Sequence, residues 1–200
     1  MSNKKMSVKK IKDLIKKDLK AFNSKSKEEI DKEFVEQFGQ DALEELEFSY
    51  RLRWLIMFLS KDMDITPVLV TFEDMKEDSK LCMGDELTGP FIIVNRKLMR
   101  NEMDVIKCVI HETRHYYHYQ VIENDLPHPL RQVWIEDLQN NSLTHPEDDE
   151  ELAKHICLPI EVDALAYTKY IVKLFFNEDI VYGGDDYNDI LDQYVEKYIM

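Results

Sequence analysis

The sequence predicts an α+β fold that is mainly α: a small sheet of about three strands packed on a central helix, with helical N- and C-terminal extensions. Apolar residues recur at helical spacing over most of the chain, and short β-branched segments are confined to residues 65–94. Five glycines and six prolines in 200 residues are too few for a typical all-β or disordered chain. We divide the chain into a helical N-terminal region, 1–62, and a second domain, 63–200.

Three helices are predicted in the N-terminal region, over residues 6–22, 26–38 and 41–60, from the spacing of their apolar residues. Ser26 is a suitable N-cap for the second helix, and Gly39 follows its last turn as a C′ residue would. This region is therefore expected to be almost entirely helical.

Strands are predicted where the helical spacing stops. Residues 65–72 are rich in β-branched side chains, and Pro67 indicates a strand that begins at or near an edge of the sheet. A second strand is predicted near 80–83 and a third over 91–94, with turn residues between them. Three strands of this length form a sheet of ordinary size.

A long helix is predicted after the third strand. Asn101 is its expected N-cap, and the sequence Leu126-Pro127 ends it just after Asn124. Its apolar residues lie on more than one face, which is typical of a central, buried helix. The remaining helices are predicted over 129–139, from about 144, over 159–176 behind Pro159, and over 187–199.

Charge is unevenly distributed along the chain. Residues 1–20 carry eight lysines and two aspartates, a net charge of +6, so the rest of the chain carries −20 within the total of −14. An acidic surface of this kind disfavours binding to nucleic acid. The basic first helix is expected to be a solvated lysine-rich face; contact with an acidic partner is the alternative.

The cysteines and the apolar segments indicate the cellular compartment in which the protein is expected. Cys82, Cys108 and Cys157 are odd in number and form no CxxC pair, so they are expected to be reduced thiols in a cytoplasmic protein. The apolar stretch at 55–59 is too short to cross a bilayer. The N-terminus lacks the apolar run of a signal peptide. We therefore expect no membrane association.

An HExxH motif, residues 111–115, lies at the middle of the predicted central helix. Residues four apart share one helical face, so His111 and His115 can direct their imidazoles at one metal ion. Glu112 lies beside them and can hold a metal-bound water, as in zinc hydrolases. The alternatives are core histidines satisfied by hydrogen bonds, or an exposed histidine-rich face.

His118 offers a second pairing on the same face of the helix. His111 and His118 are about 10 Å apart along the axis, too far for one zinc ion with ligands at about 2 Å. The pair is therefore His111 with His115, or His115 with His118. Only the first pair has a glutamate, Glu112, beside a ligand position, and it is the pair we predict.

A third metal ligand has to come from elsewhere in the chain. His118 and Val121 stand where a metzincin requires glycine and histidine, which excludes that class. The helix predicted over 159–176 offers Glu161 near its start, and the small Ala164 would let that helix approach closely. Glu161 is the predicted third ligand, with Asp163 as the alternative.

These features together resemble a family. The third strand, the HExxH helix and the Glu-x-Asp-Ala helix, spanning 65–176, are similar to the small bacterial and phage gluzincin zinc peptidases of the ImmA/IrrE type. The resemblance implies a minimal thermolysin-like core that binds Zn²⁺, and a strand near 91–94 that pairs with an extended peptide substrate. It also implies roles for the matching residues, with Glu112 as the general base and His111, His115 and Glu161 as the zinc ligands.

One position departs from the pattern. Larger gluzincins carry an aspartate four residues after the ligand glutamate, which orients a histidine, and here that position is Leu165. Asp163 lies only two residues after Glu161, on a different face of the helix, so a role in orienting a ligand is left open for it.

The expected activity is hydrolysis of a peptide or protein substrate in which Glu112 takes a proton from the zinc-bound water and later gives it to the leaving amine. The reaction also needs a group that stabilises the oxyanion. A non-catalytic metal-binding or protein-interaction protein with the same fold is the alternative. The candidates for the oxyanion are Tyr167, His155, His118, His128, His145 and Tyr117.

Overall fold

The structure, a computed structural model, describes residues 32, 35, 36, 40–85, 87–140 and 149–200. The chain divides into two compact units, Met1–Arg51 and Leu52–Met200. The predicted helix over 6–22 lies outside the described residues, as does most of the predicted helix over 26–38. The expected boundary after residue 62 differs from the observed one, because residues 52–62 belong to the second unit.

The first described helix, α1, spans Gln40–Asp62 and matches the helix predicted over 41–60. From Leu52 onward it buries a stripe at helical spacing: Leu52, Leu55, Ile56 and Leu59. Asp62 at its end accepts a hydrogen bond of 2.8 Å from the Tyr167 hydroxyl, which joins the helix to the core of the second unit.

The sheet has the three predicted strands: β1 at Leu69–Glu73, β2 at Ser79–Cys82 and β3 at Phe91–Asn95. Their order is β1-β3-β2, with β1 parallel and β2 antiparallel to β3. The first strand was predicted from residue 65 but begins at Leu69, past Pro67, whose nitrogen has no hydrogen to donate to a ladder. As predicted, this strand is an edge.

One expectation about the sheet is wrong. The strand near 91–94 was expected to pair with an extended substrate, but β3 is the central strand, and Phe91 is paired with Leu69 on one side and Cys82 on the other. Both hydrogen-bonding edges of β3 are therefore taken. The strands that keep a free edge within the sheet are β1 and β2.

The HExxH motif lies in helix α2, Glu102–Glu123, which follows a 3₁₀ turn at Arg96–Arg100. The predicted cap is confirmed: the Asn101 side chain accepts a hydrogen bond from the Met103 amide. The helix ends at Glu123 with Asn124 as its C-cap, close to the predicted end. It packs against β2, β3 and a later helix, and its buried apolar residues make it the central helix of the unit.

Four further helices follow in the described part of the chain: α3 at Arg131–Asn140, α4 at Asp149–His155, α5 at Pro159–Phe176, and α6 at Asp185–Tyr194, which a π turn extends through Val195–Ile199. The last helix begins two residues before its predicted start, and α5 has the predicted bounds.

The start of α5 is fixed from α3. Asp137 is buried in α3 and accepts a hydrogen bond of 3.0 Å from the Ile160 amide, in the first turn of α5. Trp134 and Ile160 pack with Val121 of α2 in one apolar cluster. This hydrogen bond and this apolar cluster together hold the first turn of α5 against α2.

All three cysteines are free, as predicted. Within the described part of the chain, no helix combines the length and apolar character that crossing a bilayer requires. The fold class predicted from the sequence, α+β and mainly α, is confirmed.

Candidate metal centre

Helix α2 places His111 and His115 on one face, one turn apart, with their Nε2 atoms 2.9 Å from each other. Their rings meet edge to face, and both side chains are partly buried. Two imidazole nitrogens this close either share a proton or point at a common cation.

Glu161, in the first turn of α5, supplies one carboxylate oxygen to each imidazole. Its Oε2 lies 3.3 Å from Nε2 of His111, and its Oε1 lies 3.3 Å from Nε2 of His115. Two ligand atoms bonded to a tetrahedral zinc at about 2.0–2.1 Å are themselves about 3.3 Å apart. The spacing therefore fits a metal, and these three side chains form a group that could hold one.

Electrostatics favour a cation at this point. Burial by itself would raise the pKa of Glu161, but the adjacent His115 and His111 hold it well below its usual range. Burial would lower the pKa of His115, yet the Glu161 carboxylate raises it above the ordinary value. The carboxylate is thus ionised and nearly enclosed, and such a group needs a positive partner, either a protonated imidazole or a bound cation.

Glu112, the predicted base, is buried on α2 beside the ligand positions. The hydroxyl of Ser79, the first residue of β2, donates a hydrogen bond of 2.8 Å to Oε1 of Glu112. Burial raises the pKa of the nearby Cys108 thiol to about 11, so this neighbour is a neutral thiol. Oε1 of Glu112 is thus fixed by a residue of the sheet, whereas Ser79 does not bond to Oε2.

Asp163 is completely buried and does not belong to the three-ligand group. It forms a bidentate pair with Arg114 and accepts further hydrogen bonds from His118 and Tyr194. The interpretation of Asp163 as the third ligand is therefore wrong, because both of its oxygens are engaged by other side chains. It does not contact either metal-ligand imidazole through a hydrogen bond.

The His118 ring lies 5.6 Å from the His115 ring, centre to centre. Its Nε2 is 2.6 Å from Oδ2 of Asp163, and its buried Nδ1 has no hydrogen-bond partner. Burial lowers the pKa of His118 to about 4, although Asp163 opposes the shift. A neutral ring that donates through Nε2 fits this environment, since a second N–H would be an unpaired donor. The pairing of His115 with His118 as ligands is excluded.

The candidates for oxyanion stabilisation separate in the structure. His155, at the end of α4, lies with Nε2 3.4 Å from Oε1 of Glu161, next to the ligand group. The Tyr167 hydroxyl donates instead to Asp62. The other described candidates have partners elsewhere: Tyr117 packs against Arg114, His128 stacks on Trp134, and His118 pairs with Asp163. His145 lies outside the described residues.

Sequence reasoning missed four residues around the site: Ser79, Arg114, Tyr194 and Tyr187. The Tyr187 hydroxyl donates to the carbonyl of Ile156, next to His155, and thereby holds the connection that leads into α5. Arg114 alone carried a signal, as a charged residue inside a helix predicted to be buried. The others are ordinary polar residues whose partners are distant in sequence.

Comparison of the chain with models of protein families, with curated proteins and with solved structures finds no match. The functional argument is therefore made from the geometry of the site.

Proposed function

We propose that the protein is a zinc-dependent peptidase of the gluzincin type. The observation that carries this proposal is the convergence of two imidazole nitrogens and a carboxylate within 3.3 Å, with a second buried carboxylate, Glu112, next in sequence to one of them. Two histidines and a glutamate are the protein ligands of well-known catalytic zinc sites.

The number of ligands supports a catalytic site over a structural one. Structural zinc sites are closed by four protein ligands, whereas catalytic sites use three and leave a position for water or substrate. Among the described residues, the group consists of His111, His115 and Glu161. A non-catalytic metal-binding protein, the alternative, would require a further side chain in that position.

The metal ion and three side chains have separate roles in the proposed hydrolysis. Bound zinc supplies Lewis acidity, which acidifies water and polarises the substrate carbonyl. Glu112 accepts a proton from the attacking water as the new C–O bond forms, and returns it to the amine nitrogen as the C–N bond breaks. Ser79 occupies Oε1 of Glu112, so Oε2 is the oxygen that carries the proton. We assign donation to the oxyanion to His155, because its Nε2 lies 3.4 Å from Oε1 of Glu161, beside the ligand group.

The test combines metal analysis with hydrolysis. Protein purified without an affinity tag is analysed for metal content, and the zinc-loaded form is incubated with fluorescently labelled casein. Glu112→Gln should keep its zinc and lose activity by at least about 100-fold, the usual size of a general-base contribution. Glu123→Gln, an exposed glutamate on the same helix, is the matched control and should match the wild type.

Three other results would each contradict a part of the proposal. Casein hydrolysis unchanged in Glu112→Gln would remove Glu112 as the base. Zinc bound stoichiometrically by a wild-type protein that hydrolyses nothing would favour the non-catalytic alternative. A wild-type protein that does not bind zinc would eliminate the metal centre.

A further inference from the structure

Asp163 joins three helices at one buried point behind the metal centre. Its side chain is fully enclosed, and its four hydrogen-bond contacts come from Arg114 and His118 of α2 and from Tyr194 of α6. We propose that Asp163 is a positioning residue for the metal centre: it sets the alignment of α2 with α5 that brings Glu161 onto the two imidazoles. The inference rests on the proposed metal site.

The placement of these contacts along α2 is the first argument. Arg114 precedes His115 by one residue and His118 follows it by three, so the two side chains bracket a ligand histidine. On α5, Asp163 lies two residues beyond Glu161, about 3 Å further along the helix axis. The hydrogen bonds of Asp163 therefore connect α2 and α5 at nearly the level where the metal ligands meet.

Each oxygen of the Asp163 carboxylate accepts two hydrogen bonds. Oδ2 is 2.5 Å from Arg114 Nε and 2.6 Å from His118 Nε2, while Oδ1 is 3.1 Å from Arg114 Nη2 and 3.0 Å from the Tyr194 hydroxyl. A buried carboxylate is strongly unfavourable when any of this pairing is lost. Sliding α5 along α2 would strain several of these bonds at once, so one alignment is preferred.

Arg114 packs between two aromatic rings, Tyr117 of α2 and Tyr167 of α5. Its guanidinium lies 4.5 Å from the ring centre of Tyr117 and 4.5 Å from that of Tyr167. Tyr167 is itself tied through its hydroxyl to Asp62 at the end of α1. Arg114 thus links α2 to α5 twice, through the bidentate pair with Asp163 and through the ring of Tyr167, and Asp62 ties that ring to α1.

The metal ligands need a fixed alignment of α2 with α5 because Glu161 serves two imidazoles with its two oxygens. Both oxygen–nitrogen distances are 3.3 Å, and a small shift of α5 would shorten one and lengthen the other. Asp163 therefore affects metal binding without touching the metal. Partners hydrogen-bonded directly to metal ligands typically contribute 10- to 100-fold to affinity, and we expect an effect of similar size from a residue that sets the position of the ligand-bearing helix.

The test compares Asp163→Asn with Val172→Ala. Val172 is fully buried on the same helix, nine residues and about 13 Å further along, so its truncation lowers stability without touching the network. Zinc affinity of the metal-free proteins is measured by competition with a chromogenic chelator, and site geometry by the visible spectrum of the cobalt-loaded forms. Circular dichroism and urea unfolding report folding and stability.

Asp163→Asn should bind zinc about 10- to 100-fold more weakly than the wild type and show an altered cobalt spectrum. Val172→Ala should keep the wild-type affinity and spectrum. Tyr194→Phe, which removes one hydrogen bond and leaves the charge pair, should weaken zinc binding by a few-fold. It also provides the test if Asp163→Asn does not fold.

Wild-type affinity in both Asp163→Asn and Tyr194→Phe would overturn the inference. It would also be overturned if Val172→Ala lost as much affinity as Asp163→Asn at equal stability, because the effect would then follow general destabilisation. Absence of zinc binding by the wild-type protein is a distinct result, since it removes the metal centre itself.

Discussion

The Ser79 hydroxyl donates a 2.8 Å hydrogen bond to Oε1 of Glu112, and both side chains are buried. Ser79 is the first residue of β2, a strand at the edge of the sheet, whereas Glu112 lies at the middle of α2. The orientation of the proposed base is therefore set by the contact between sheet and helix, and not by the helix alone.

Ser79→Ala should lower the turnover number for casein by about 10- to 100-fold, the size expected for one hydrogen bond to a charged group. Zinc content and KM should stay unchanged, because the hydrogen bond of Ser79 goes to the proposed base and not to a metal ligand. Ser79→Thr keeps the hydroxyl and should recover most of the activity. The measurement is steady-state hydrolysis by zinc-loaded protein.

A double variant separates positioning from general damage. If Ser79 acts through Glu112, adding Ser79→Ala to Glu112→Gln should cause little further loss. A further loss as large as in the wild-type background would show that Ser79 acts in some other way.

Metal binding should stabilise the fold. Because the ligands come from two helices, zinc binds the folded chain in preference to the unfolded one, and zinc at about 100 times its Kd should add about 2.7 kcal/mol to the free energy of unfolding. Thermal unfolding with zinc and with EDTA measures the difference. Glu161→Gln should lose most of it, and the exposed Glu178→Gln should not. Equal zinc stabilisation in both variants would contradict the assignment of Glu161.

Stability of the metal-free protein should depend on pH through His118. Burial lowers its folded-state pKa from 6.5 to about 4, so the unfolded chain binds this proton more readily. The contribution of His118 to the free energy of unfolding should therefore fall by up to about 3 kcal/mol as the pH drops from 6.5 to 4, while His115, with its raised pKa, contributes in the opposite direction. The Asp163 carboxylate, with its own lowered pKa, acts in the same direction as His118 at lower pH.

His118→Gln can still donate to Asp163 but cannot titrate. Urea unfolding of the metal-free protein between pH 4 and pH 7 should give a shallower pH dependence for this variant than for the wild type. Parallel curves would mean that His118 is not the group responsible.

Ala164 should tolerate no larger side chain. It is completely buried on α5, the helix that packs against α2 and carries Glu161. Ala164→Leu is expected to lower the free energy of unfolding by about 1–3 kcal/mol through overpacking and to weaken zinc binding by displacing Glu161. The exposed Ala153→Leu is the control. Wild-type stability and zinc affinity in Ala164→Leu would show that the two helices have room to spare at this point.

Much of the helical structure could be predicted because its signals are local. Asn101 caps α2 and Pro159 opens α5 through contacts within one turn, so both helices were predicted with nearly correct bounds. The convergence of His111, His115 and Glu161 was also predicted, since spacing within α2 defines one pair and Glu161 stands at the start of the next long helix.

The order of the strands could not be predicted in the same way. Each strand is visible from its own residues, but which strand becomes central depends on pairings across the chain. β3 was expected to offer an edge to substrate, yet it is paired on both sides. Alternation and turn residues predict that a strand exists, and they say little about its neighbours.

The sequence by itself determined most of the helices that the structure describes, the three strands and the residues that could ligate a metal, because periodicity, capping and the spacing of the HExxH motif act over a few residues. Only the tertiary structure decided what surrounds those ligands. Ser79 reaches Glu112 across 33 positions and Arg114 reaches Asp163 across 49. Such contacts arise when separate elements pack together and buried polar groups must find partners, and no local pattern records which partners those are.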